Sequence, residues 1–227
     1  MNPSKLLINS ILDGDLAACR LNLSGGADAN ATDDKGIPAL AIAASRRNPE
    51  IVRALLEYGA NVQTKITIPN QIADGPIIHL PAANGSEEVL RLLLIAGANP
   101  NDRDATGMTP LMLSAFQGHV RIAALLLDSE AELEAKDSMG YTPLIFAANA
   151  GQQKMVEFLL SKGANPNAKD NQNSTPVMFA AQHGFDVIVR RLLTSGADVL
   201  ARGTHGLTAV DLAVQNKHHE TLQILQR

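Results

Sequence analysis

Tryptophan is absent from these 227 residues, and phenylalanine and tyrosine together supply only 3% of them, while apolar residues make up 45%. A core drawn from this stock must be filled by Leu, Ile, Val and Ala, which suits closely packed helices. The single Cys19 cannot close an internal disulfide, and no Cys/His cluster accompanies it. A structural zinc site is therefore not expected, and a reducing, cytoplasmic setting fits best. Nineteen Lys and Arg against 23 Asp and Glu leave a net charge of -4, with no long run of either sign. That balance excludes a basic stripe tracking phosphates, so no nucleic-acid partner is expected. No segment approaches the roughly 18 uninterrupted apolar residues of a membrane span, and the N-terminus lacks a basic start followed by an unbroken apolar stretch. Neither a signal peptide nor a membrane partner is expected.

Catalytic signatures are missing too. There is no glycine-rich phosphate loop ending in Lys-Ser/Thr and no Gly-x-Ser-x-Gly turn. The one dense His/carboxylate cluster, His218-His219-Glu220, places its adjacent histidines about 100° apart on a helix, which does not make one metal face. The acidic pairs Asp13/Asp15 and Asp102/Asp104 lack the closing Glu of a calcium loop. No catalytic residue, no metal ligand and no cofactor site is expected, and the chain does not read as an enzyme.

What the sequence does have is a beat. Gly-Ala pairs at Gly26, Gly59, Gly97, Gly163 and Gly196, with Glu130-Ala131 filling the gap, follow one another at steps of 33, 38, 33, 33 and 33. A second series, Gly14, Arg47, Gly85, Gly118, Gly151, Gly184 and Lys217, steps by 33 except for one 38. A fixed period in this range means a stacked array of units that cannot fold alone. The five extra residues lie between Gly59 and Pro76.

The unit from Asp137 to Asp170 shows what each period encodes. Asp137 and Gly140 are turn formers, and Thr142-Pro143 is a helix start, a hydroxyl cap followed by proline at the first helical position. Leu144, Phe146, Ala147 and Ala148 form a short helix that Gly151 breaks. Met155, Val156, Phe158 and Leu159 belong to a second helix, which Gly163 ends in the left-handed conformation.

Turn, short helix, tight loop and longer helix in this order resemble the ankyrin repeat. The segments GMTPLMLSAFQGHVRIAALLL from Gly107, GYTPLIFAANAGQQKMVEFLL from Gly140 and, with Asn173 and Val177 in place of Gly and Leu, NSTPVMFAAQHGFDVIVRRLL from Asn173 carry the family's Gly-x-Thr-Pro-Leu and Leu-Leu signatures. The resemblance covers nearly the whole chain and implies an all-α solenoid of stacked helix-turn-helix units joined by β-turn or hairpin fingers. One domain over 1–227 is expected: an N-terminal cap at about 3–30, internal repeats at about 33–65, 71–103, 104–136, 137–169 and 170–202, and a C-terminal cap at about 203–227. Departures include Pro38 and Pro76 in place of Thr, Glu130 in place of Gly, and Gln71 and Gly203 in place of Asp. Only His79 occupies the family's Thr-Pro-Leu-His histidine, and the resemblance implies that it braces backbone within its repeat.

If the repeated apolar positions are consumed by packing, function lies on the surface. The resemblance points to the concave side, made by finger tips and exposed positions of the first helices, and to another protein as partner for a monomeric adaptor, scaffold or inhibitor. The alternative is a regulatory or targeting subunit for a separate catalytic chain. On that side stand Ile37, Ile72, Met108, Met139 and Tyr141 from the fingers and Phe116 from a first helix. Met108, Phe116, Met139 and Tyr141 form the expected contact patch, because Met and aromatic side chains are enriched in interface cores; the competing reading is that a few exposed apolar residues are ordinary. Further on, these positions turn polar (Gln172, Gln182, Thr204, His205), as in a rim or a region without contact.

One repeat breaks the pattern twice. Its extended finger carries Ile66, Ile68 and Ile72 at even spacing, as a hairpin or extended loop displaying one face to a partner would. Pro81 then falls inside the predicted first helix, where it would cost up to roughly 3 kcal/mol unless distortion relieves it. A binding device and a tolerated weak point both fit these features. Glu130 carries its own expectation: the residue after such a helix has positive φ, so either Glu130 adopts that strained conformation or its helix ends differently.

Overall fold

The structure, a computed structural model, describes residues 2–68 and 72–226, with the side chains of 67, 68 and 72–74 outside the description. The helices come in seven pairs among the described residues: α1 (Pro3–Asp13) and α2 (Leu16–Ser24), α3 (Ala39–Ser45) and α4 (Pro49–Glu57), α5 (His79–Asn84) and α6 (Glu87–Ile95), α7 (Pro110–Gln117) and α8 (Val120–Asp128), α9 (Pro143–Asn149) and α10 (Gln153–Ser161), α11 (Pro176–His183) and α12 (Asp186–Thr194), α13 (Ala209–Gln215) and α14 (His219–Leu225). First helices pack on first helices and second on second along the whole series, which makes a solenoid of stacked helix pairs.

Local chemistry sets each unit. The Thr142 hydroxyl caps α9 by accepting from the Ile145 N–H at 3.4 Å, and Pro143 follows at the first helical position. Ala147 and Ala148 are fully buried, which lets α9 approach α7 and α11 closely, while Leu144, Met155, Val156 and Leu159 fill the space between the layers. Each Asp-headed finger is folded by its own carboxylate: Asp137 Oδ1 accepts from the N–H groups of Met139 and Tyr141 at 2.9 and 2.7 Å, and Asp33, Asp104 and Asp170 repeat the arrangement.

Side-chain amides tie each unit to the next. Asn101 donates to the Glu130 carbonyl at 3.0 Å and accepts from the Glu132 N–H at 2.7 Å. Asn30 does the same with Gly59 and Asn61, and Asn167 with Gly196 and Asp198. These bridges satisfy backbone groups of the loop just past each helix end.

Glu130 adopts positive φ, 68°, so its helix ends as its glycine-bearing counterparts do. Arg47 (57°), Asn173 (58°) and Lys217 (62°) are left-handed as well, each at a position that other repeats give to glycine.

The irregular repeat needs two corrections. Its finger is a hairpin, β1 (Lys65–Ile68) against β2 (Ile72–Pro76), with Ile66 opposite Gly75, Ile68 opposite Ile72 and an irregularity between Ile66 and Ile68. Ile66 does not display itself to a partner: it is 3% exposed and belongs to the hydrophobic core. The register puts it opposite a residue with no side chain, and it is the apolar member of that pair. The backbones of Ile68 and Ile72 pair, but their side chains lie outside the described residues. Pro81, in turn, does not interrupt a helix. Helix α5 starts at His79, two residues later than the register of α7 would place it, so Pro81 is its third residue. The N–H that proline lacks is one of the four that have no acceptor at a helix start in any case.

Candidate functional site

Fingers and first helices share one face, and aromatic rings run along it. Phe116, at the end of α7, meets Phe146 of α9 edge-on at 6.4 Å between centroids. Tyr141, from the finger before α9, sits edge-on between Phe146 at 5.4 Å and Phe179 of α11 at 5.2 Å. Offset and edge-to-face rings at these separations attract through their quadrupoles, beyond the area they bury. In a chain with so few aromatics, four rings in one row across three repeats is a concentration of side chains typical of interface cores.

Of the predicted contact residues, Ile66 lies in the core, the side chains of Ile68 and Ile72 lie outside the described residues, and the others differ in exposure. Phe116 is 42% exposed and Met139 53%, the two most open among those whose side chains are described. Tyr141 and Met108 are half-buried, and Ile37 is half-buried against the core. Phe116 and Tyr141 are joined through Phe146. Neither Phe146 nor Phe179 was among the expected contact residues, although the sequence holds a signal for both: positions 113, 146, 179 and 212, 33 apart, read Leu, Phe, Phe, Leu. The Tyr141 hydroxyl titrates above the usual tyrosine range, through burial first and then the nearby carboxylates of Asp170 and Asp137. It stays a neutral donor and acceptor at physiological pH.

Three of the six histidines are occupied with backbone, and His183 Nε2 stands 3.1 Å from the side-chain oxygen of Asn149. His79 is fully buried, its Nε2 3.1 Å from the Asp102 carbonyl oxygen of its own repeat, so Nε2 carries the proton and donates. Burial pushes its pKa down, against the Asp102 carbonyl and the charges of Asp104 and Asp102. The Nε2 atoms of His119 and His218 reach back across the repeat boundary to the carbonyls of Ala83 and Gln182, each at 3.1 Å. Among the described residues, no group of three or more His, Cys, Asp or Glu side chains is placed to hold a metal ion. Cys19 is fully buried, its S–H donating to Ser10 Oγ at 3.2 Å, and burial raises its pKa, which marks a packing role. No helix among the described residues is long and apolar enough to cross a membrane.

Comparison with known proteins agrees with this architecture. Models described as ankyrin repeats in three copies match residues 7–104 and 78–170, and a model of ankyrin repeats in many copies matches 159–213. An ankyrin repeat-containing protein of Treponema pallidum is 34% identical over 110 residues, 47% of this chain and 35% of that protein. The ankyrin repeat, SAM and basic leucine zipper domain-containing protein 1 of Mus musculus is 34% identical over 117 residues, 48% of this chain and 23% of the relative. An E3 ubiquitin-protein ligase of Arabidopsis thaliana is 34% identical over 88 residues, 38% of this chain and 5% of the ligase. The matched segments span 35% or less of these relatives. Ankyrin repeats are in general protein–protein interaction modules, and no catalytic family is matched. Together these models match the chain from residue 7 to residue 213, and it belongs to the ankyrin-repeat family.

Proposed function

We propose that the chain is a monomeric, cytoplasmic binding module, without catalysis of its own, that holds a protein partner on the face made by its fingers and first helices. The partner reads an adaptor, scaffold or inhibitor whose contact centre is the row from Phe116 to Phe179, flanked by Met108 and Met139. The row carries this reading: Phe116 and Met139 leave apolar surface in water beside rings already held in place, so little side-chain entropy is lost on binding. The second reading, a targeting or regulatory array acting for a separate catalytic chain, draws support from the similar segment within a much larger ubiquitin ligase.

Phe116→Ala tests the centre. Its ring touches Phe146 from a largely open position, so the variant retains its fold while partner affinity falls by about 2 kcal/mol, roughly 30-fold in Kd. Paired affinity capture with wild-type and variant baits, followed by titration of the captured partner, measures this. Equal affinity for both proteins overturns the assignment.

A further inference from the structure

A cavity of about 190 Å³ opens between the finger that starts at Asp170 and the one that starts at Gly203, next to the end of the aromatic row. Phe179, Leu207 and Leu212 form its apolar walls, and Gln172, Gln182 and His205 stand around it. A small residue at one finger position helps to leave it open. In each finger the same position closes the turn: the Asp137 N–H donates to the Tyr141 carbonyl at 3.1 Å, the Asp170 N–H to the Ser174 carbonyl at 3.1 Å, and the Gly203 N–H to the Leu207 carbonyl at 3.0 Å. The N–H groups of Tyr141 and Ser174 also donate to their finger's Asp Oδ1 at the same 2.7 Å. The two backbones are therefore equivalent.

Their side chains are not. The ring of Tyr141 fills the space between Phe146 and Phe179. One repeat on, the corresponding walls are Phe179 and Leu212, and the residue that should fill the space between them is Ser174, which lines the cavity instead. A cavity of about 150 Å³ with apolar walls is enough to take benzene.

We propose that this cavity receives one aromatic side chain of a bound polypeptide, which takes between Phe179 and Leu212 the place that Tyr141 takes between Phe146 and Phe179. The inference rests on the reading of this face as a protein-binding surface and adds the chemistry of one anchor. The guest ring continues the row by one member, meeting Phe179 edge-on from the side opposite Tyr141. The amides of Gln172 and Gln182 and the imidazole of His205 supply partners for the guest's backbone or for a phenol hydroxyl.

The test titrates isotopically labelled protein with p-cresol, the side chain of tyrosine, and follows backbone amide shifts. Shifts are expected at Phe179, Gln182, Gly203 and Leu212, with none from propionamide, the side chain of glutamine. Ser174→Tyr supplies the ring from within and loses no side-chain hydrogen bond described for Ser174; the p-cresol shifts should disappear in it. A blocked Gly-Gly-Tyr-Gly-Gly peptide should move the same amides, and Gly-Gly-Ala-Gly-Gly should not. Unmoved amides, equal shifts in S174Y, or entry of p-cresol without entry of the tyrosine peptide would each overturn the proposal. If S174Y does not fold, nuclear Overhauser contacts between the p-cresol ring and the methyls of Leu207 and Leu212 in the wild-type protein decide, and their absence overturns it. A captured partner that is weakened by Phe116→Ala and untouched by S174Y refutes the cavity while leaving the binding face intact.

Discussion

The ring of Phe185 lies over Gly151, its Cζ 2.8 Å from where a Cβ on that glycine would stand. The relationship recurs along the stack: His119 covers Gly85, Gln152 covers Gly118 and His218 covers Gly184, each with atoms under 3.0 Å from the same point. The glycines thus answer two demands at once, a φ near 70° and a neighbour's side chain laid against the backbone. Arg47 has the same left-handed backbone with a Cβ, and there the covering position in the following repeat is held by the small Ser86.

Gly151→Ala should therefore cost more than its backbone strain. About 1–2 kcal/mol comes from the left-handed conformation alone, and the displaced Phe185 adds to it. In the double variant with Phe185→Ala the second part is absent, so the two changes should cost less together than their sum. Urea unfolding of the four proteins measures the coupling, and strict additivity would show that the ring moves aside freely.

Glu130 presents the reverse case. Its φ is 68°, its side chain is exposed, and the bond to Asn101 uses its carbonyl oxygen, which any residue supplies. Glu130→Gly relieves the strain and loosens the unfolded chain, for a net stabilisation of about 0.5–1 kcal/mol. A lower urea midpoint in the variant would mean that the glutamate side chain contributes more than its backbone costs.

The hairpin finger is a structural element as well as an extension. Ile66 lies in the core, so the finger is not a surface insertion that could be removed without loss to the fold. Ile66→Ala should destabilise the array by about 2–5 kcal/mol, the range for truncating a buried aliphatic side chain. A change under about 0.5 kcal/mol in thermal or urea unfolding would show that the finger packs only loosely on the stack.

The regular parts of this fold were legible because they rest on local chemistry repeated in phase. Thr142 before Pro143, Asp137 before Gly140 and the αL positions each act within a few residues, so Glu130 could be assigned its backbone by analogy with Gly163. Ile66 could not be placed that way. Its burial depends on the pairing with Gly75 and the irregularity before Ile68, a register that spacing alone does not fix. The aromatic row was half visible for a related reason: Phe116 and Tyr141 fall on expected surface positions, while Phe146, which joins them, falls among the apolar residues of its short helix and is half-buried. The 33-residue step from Tyr141 to Ser174 is present in the sequence, but that Tyr141 fills the space between two rings, and that Ser174 leaves the next such space open, is visible only in the structure.

His79 gives the fold a pH dependence whose sign follows from its surroundings. The ring is fully buried, Nε2–H donates to Asp102, and Nδ1 has no partner among the described residues. Protonating Nδ1 would place a charge in the core, so burial lowers the folded-state pKa below the ordinary 6.5. The unfolded chain then binds the proton more readily than the folded one, and stability rises with pH wherever that difference holds. The contribution is fully present above about 6.5 and is lost as pH falls from there through the lowered folded value. His79→Gln keeps a side-chain donor and removes the titration. Urea unfolding between pH 7.5 and 5 should show the wild type losing its advantage over the variant as the solution is acidified. A difference that stays constant across that range would mean that the imidazole takes up its proton equally well in both states.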